Sequence, residues 1–142
     1  MNWRISIILI VVITASCKNE KAVDLAEIKE SYLIESDELK AIVNQPKIKI
    51  IDFRKKDIYK NEHIAGAVNI WRTDIEDDSF NYKGIMASKT QIELLFGKLG
   101  IKTDDTLIIY DDNGLCDSAR LWWLLQNYDF TNVKLLHGGL KS

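Results

Sequence analysis

Apolar residues in this chain fall into short runs, continuous over 107–110 and elsewhere interrupted by at most one polar residue, separated by amphipathic or polar stretches. Residues 48–51, 67–70, 107–110 and 133–136 each have the length of a buried strand, and 32–34 is a shorter candidate. The intervening segments carry helix signals. Ser36 suits an N-cap, Asp37 and Glu38 sit in the first turn where the helix dipole favours negative charge, and Leu39, Ile42 and Val43 supply an apolar face. Residues 55–59 predict a helical turn, and 71–83 read as a polar, irregular loop. Ser88 and Gln91 frame a capping box that opens a helix through Leu99, with Gly100 fitting the C′ position. Residues 118–128 predict a last helix with Leu121, Trp122, Leu124, Leu125 and Tyr128 as its apolar residues. Trp122 and the adjacent Trp123 cannot share one helix face, so one is expected in the core and the other over an interface.

Strands that are continuously apolar and alternate with helices imply an α/β fold: a five-stranded, mostly parallel sheet with helices on both faces. Ligands of such sheets bind beyond the carboxyl ends of the strands. Asp52, the loop of Asp111, Asp112, Asn113, Gly114, Leu115, Cys116 and Asp117, and the pair Gly138 and Gly139 all fall at those ends. A short loop between a buried strand and a helix N-terminus aims several backbone N–H groups at one point and makes an anion cradle. The first loop residue is Asp111, whose carboxylate is expected to fill that cradle as an internal anion. A general-base role for it lacks a partner nucleophile. Asp52 and Arg54 are expected to pair beneath the site, His63 to be structural, and His137 to be a solvated loop residue. Gly138 and Gly139 are expected to allow a turn closed to other residues.

Charge and cysteine content narrow the picture. A net charge of −2 gives no footing for a nucleic-acid partner, and no cofactor or metal set is apparent. The hydrophobic run over residues 5–14 is too short to cross a hydrocarbon core of about 30 Å. It reads as a secretory signal core, and Thr14, Ala15, Ser16 and Cys17 resemble a bacterial lipobox. The expected organisation is a signal peptide over 1–16, a lipidated Cys17 leading a tether over 17–30, and one domain over 31–142, held on a membrane of the bacterial cell envelope. An ordinary cleaved signal or a short anchor is the alternative. With Cys17 lipidated, Cys116 is the remaining thiol and no intrachain disulfide forms.

Three segments resemble the rhodanese domain family. The first runs from Ile51, Asp52, Phe53 and Arg54 through Tyr59 to His63, Ile64, Ala65, Gly66, Ala67, Val68, Asn69 and Ile70. The second is 107–110 with its following loop, and the third is 133–140, including His137, Gly138 and Gly139. Tyr110, Asp111, Asp112 and Gly114, then Ala119, Arg120, Leu121, Trp122 and Trp123, are similar to the N-terminal domain of tandem thiosulfate or 3-mercaptopyruvate sulfurtransferases, as is the stretch from Gly84 to Ser88. The resemblance implies a rhodanese-like fold and, for the family, transfer of a sulfane sulfur from thiosulfate or 3-mercaptopyruvate. It also implies that the N-terminal domain lacks the nucleophile, which a catalytic partner domain supplies, and that Arg120 flanks the site. The nucleophile position here is Asp111. The missing thiol is therefore expected from a second rhodanese domain, and the domain is expected to be truncated at its C-terminus, because the sequence stops soon after the fifth strand, before the tryptophan-containing helix that the resemblance implies. A stand-alone binding module is the alternative, and a weak sulfurtransferase using Cys116 is a minor one. Cys116 is displaced five residues from the nucleophile position and stands among Asp111, Asp112 and Asp117, whose charges oppose a thiolate. A phosphatase loop needs five residues between cysteine and arginine, whereas three separate Cys116 from Arg120.

Overall fold

The computed structural model describes residues 31–141, so the signal segment, Cys17 and the tether lie outside the described residues. Five strands form one sheet: β1 (Leu33–Ile34), β2 (Ile48–Asp52), β3 (Val68–Asn69), β4 (Thr106–Tyr110) and β5 (Val133–Leu136). Their spatial order is β1-β5-β4-β2-β3, and every pairing is parallel. Four α-helices join them: α1 (Ser36–Ile42), α2 (Lys56–Asn61), α3 (Lys89–Leu99) and α4 (Cys116–Asn127). The parallel connections require crossovers, and the two sheet faces bury separate apolar layers. Ile51, Leu107, Ile109, Val133 and Leu135 meet Ile92 and Phe96 of α3 and Leu121, Leu124 and Leu125 of α4. Ile50, Ile108, Tyr110 and Leu136 meet Leu39 and Ile42 of α1 and half-buried Tyr59 of α2. Adjacent strand residues thus feed opposite cores, which is why central β4 reads as an unbroken apolar run over 107–110.

Local departures from the sequence pattern have physical causes. The N-cap of α1 is Glu35 and not Ser36; the Glu35 N–H donates to Glu38 Oε2 at 2.8 Å. β3 is shorter than the apolar run because the Ala67 N–H turns back to Ile64 O at 2.9 Å. The 71–83 stretch is not wholly irregular. Buried Ile75 anchors a 3₁₀ turn over Arg72–Ile75, and Glu76 bridges Met86. The last helix starts two residues earlier than its apolar pattern, at Cys116, after Leu115 takes a left-handed conformation at φ 69°. Ser88 caps α3 by accepting from the Gln91 N–H at 3.3 Å, and Gly100 ends it at φ 70°.

The consecutive tryptophans divide as their spacing requires. Trp122 packs against the core and donates its indole N–H to Val133 O at 3.3 Å, whereas Trp123 is 56% exposed. Leu121→Ala should therefore lower the unfolding free energy by about 2–5 kcal/mol in urea titration, while Trp123→Ala two positions on should change it by less than about 1 kcal/mol.

Candidate functional site

β4 ends at Tyr110, and the chain must turn within five residues to start α4. The opening turn of any helix leaves N–H groups without intrahelical partners, and Leu115 at the N-cap has no side-chain oxygen to offer. Asp111 supplies it from the base of the loop. Its Oδ1 accepts from the N–H groups of Asn113 at 3.0 Å and Leu115 at 2.9 Å, and its Oδ2 from those of Asp117 at 3.0 Å and Ser118 at 2.7 Å. The residue is 2% exposed. Burial opposes the charge, but the N–H groups of Ser118, Asn113 and Leu115 outweigh it and hold the carboxyl below its ordinary pKa. The anion cradle exists, and this side chain saturates it.

Next to the cradle, a cavity of about 260 Å³ opens at the carboxyl ends of the strands. Asp111, Gly114 and Leu115 come from the loop after β4, Arg54 and Glu62 from the β2 side, and Gly138, Gly139 and Lys141 from the turn after β5. The three segments singled out in the sequence do converge. Gly139 is held at φ 64°, and a Cβ there would lie 2.1 Å from the Asp111 carbonyl oxygen, so the two loops touch backbone to backbone. Asp52 lies beneath. Its carboxylate receives the Arg54 Nε–H at 2.9 Å, the Arg54 Nη2–H at 2.7 Å and the Tyr110 hydroxyl at 2.5 Å. Arg54 Nη2 also donates to Glu62 O at 2.8 Å, and the Tyr110 hydroxyl oxygen accepts from the Ile64 N–H at 3.1 Å. The hydrogen bond to Asp52 raises the Arg54 pKa, and burial raises that of Tyr110. Nε and Nη2 of the guanidinium are thereby committed to Asp52, and Lys141, without an ion pair among the described residues, faces the same cavity as the carboxylates of Glu62 and Asp112. The cradle is filled, and no thiol of the described residues lines the cavity.

Other candidates lie elsewhere. Cys116 is exposed at the first position of α4 and is not a wall of the cavity. Asp117 is turned to Arg72 at 3.4 Å and Asn113 Nδ2 at 3.1 Å. Arg120 does not flank the cavity; α4 carries it to the opposite loop, where Nη2 donates to Gly84 O at 2.9 Å. His63 is likewise off the cavity, exposed and stacked on Tyr59 with ring centroids 4.0 Å apart. His137 faces solvent with Nδ1 3.0 Å from Glu35 Oε1. Sequence reasoning missed Tyr110, read as a strand hydrophobe. Its hydroxyl needs a buried partner, and the parallel register sets it beside Asp52. It also missed Asn69, whose Nδ2 donates to Asp52 O at 3.0 Å and Arg54 O at 2.8 Å.

A model of the rhodanese-like domain matches residues 35–142. The chain belongs to the rhodanese-like domain family. It is 32% identical over 112 residues to a Mycobacterium bovis protein with a provisional thiosulfate sulfurtransferase name, covering 78% of this chain and 39% of that protein. It is 28% identical over 120 residues to the 3-mercaptopyruvate sulfurtransferase of Escherichia coli (strain K12), covering 78% of this chain and 43% of that protein. The crystal structure of SseA from Escherichia coli, a 3-mercaptopyruvate sulfotransferase of rhodanese fold, superposes with a TM-score of 0.71 at 28% identity, over 78% of this chain and 46% of that one. The chain thus spans about two fifths of the length of these curated relatives.

In this rhodanese-like domain the cradle and the Gly139 contact are directly testable. Gly139→Ala should cost at least about 1–3 kcal/mol in urea unfolding, because the left-handed backbone and the carbonyl contact both penalise a Cβ. The Asp111 carboxyl is held below its unfolded value of about 3.9, so its contribution is fully present above that value and is lost as pH falls through the folded pKa. Asp111→Asn should destabilise by about 1–3 kcal/mol at neutral pH, and its deficit relative to the parent should shrink as unfolding is measured at pH below about 4.

Proposed function

We propose that this chain is the non-catalytic, N-terminal-type half of a thiosulfate or 3-mercaptopyruvate sulfurtransferase, which works with a second rhodanese domain that supplies the thiol. One observation carries the reading: the cradle that would stabilise a thiolate and its persulfide is occupied by the Asp111 carboxylate, bonded to four backbone N–H groups. In the reaction, a partner thiolate attacks the sulfane sulfur of thiosulfate, the S–S bond breaks, sulfite leaves and the cysteine holds the persulfide for an acceptor. A carboxylate cannot form that bond. The partial span of the two-fifths matches supports a tandem arrangement. In the same reading a lipid on Cys17 anchors the protein to the bacterial envelope, which the lipobox-like Thr14 to Cys17 segment supports.

Exposing the purified chain to thiosulfate and measuring its intact mass should show no added sulfur atom. A persulfide that disappears in Cys116→Ser would refute the reading and make Cys116 the nucleophile. In the Cys116→Ser background, Asp111→Cys places a thiol in the cradle, and its pKa, followed by thiolate ultraviolet absorbance, should fall below the free-cysteine value of about 8.5. A value at or above that of free cysteine would show that the loop does not stabilise anionic sulfur.

A further inference from the structure

β3 is an edge of the sheet, and a second cavity of about 340 Å³ lies beside it between α2 and α3. It shares no residue with the cavity at the Asp111 loop. Its walls include Lys56 and Lys60 of α2, the half-buried rings of Tyr59 and Trp71, Asn69 of β3 and Leu95 of α3. Lys56 and Lys60 are one helical turn apart and exposed, and neither has an ion pair among the described residues. Like charges at that spacing repel, and an anion placed between them relieves the repulsion. The one carboxylate of the cavity, Asp74, has its Oδ2 held by the Trp71 N–H at 2.8 Å, so the charge balance remains positive.

The remaining surface suits a flat apolar body. Both rings are braced without a ligand: Tyr59 stacks on His63 and donates its hydroxyl to Ala67 O at 2.8 Å, and Trp71 leans on Phe53 with centroids 5.8 Å apart. Held in place beforehand, they lose little freedom when a ring binds. Polar groups stand ready beside them. The Trp71 indole N–H has no partner among the described residues, and Asn69 spends both amide hydrogens on backbone carbonyls, which leaves its Oδ1 open. A few polar groups around an apolar wall, in a volume near the lower end for small-molecule sites, are the usual features of such a site.

We propose that this cavity binds a small anion carrying an aromatic ring, an aryl phosphate or aryl carboxylate, with its anionic end at Lys56 and Lys60 and its ring against Tyr59, Trp71 and Leu95. Phenyl phosphate serves as the probe, and the Trp71 indole N–H signal in ¹H–¹⁵N spectra of the full chain as the readout. The expected result is a saturable shift with a Kd on the order of 1 mM or tighter. Lys56→Ala combined with Lys60→Ala removes two exposed side chains, should leave the spectrum folded, and should weaken binding about ten-fold. Inorganic phosphate, lacking the ring, should bind at least about ten-fold more weakly than phenyl phosphate. An unsaturable or absent shift, unchanged affinity in the double variant, or equal binding of inorganic phosphate would each overturn the proposal. Failure here leaves the sulfurtransferase reading untouched, since no residue is shared.

Discussion

Four backbone N–H groups point inward where the loop after β4 becomes α4, and none has a partner within the helix. That concentration of partial positive charge in a buried place has to be met by an anion. In a sulfur-carrying rhodanese loop the anion would be a thiolate or persulfide; here it is the carboxylate of Asp111. The carboxylate meets those backbone groups with a charge of the same sign as a thiolate's. The loop holds its shape without a ligand, since the charge that organises it is covalently part of it.

The constraint spreads from the cradle. Asp111 sits directly after Tyr110, so anchoring its carboxylate also fixes the end of β4, where the Tyr110 hydroxyl reaches Asp52. Asp52 in turn holds Arg54, which ties the 62–64 turn through Glu62 O. On the other side the Asp111 carbonyl presses against Gly139, a contact that no side chain at that position would allow. Ends of three strands are thereby locked to one another, and both carboxylate oxygens of buried Asp52 accept hydrogen bonds, the condition under which buried charge is tolerated.

Much of this was legible from residue order. The five apolar runs, the capping box at Ser88, the glycine stop at Gly100 and the alternation of strands with helices follow from local chemistry, and the structure contains them. Errors fell where a local signal competed with a neighbour. Ser36 has the better capping side chain, yet Glu35 stands at the boundary. Ile75 looked isolated in a polar stretch, yet it is fully buried and builds a turn around itself. Arg120 and His63 belong to motifs that resemble the family, but motif membership says nothing of which way a side chain leaves its helix or turn.

By itself the order of residues determined which segments are strands, which are helices, that the sheet is parallel, and that a carboxylate opens the loop after the fourth strand. Each depends on periodicity or on the identity of one residue, both local properties. Tertiary structure alone decided the partners. The register of β2 against β4 sets Tyr110 beside Asp52, the crossovers bring Gly139 onto Asp111, and the β3 edge gathers Lys56, Lys60, Tyr59 and Trp71 around one cavity. Those contacts join residues far apart in the chain, and only the packing of whole elements against one another selects them.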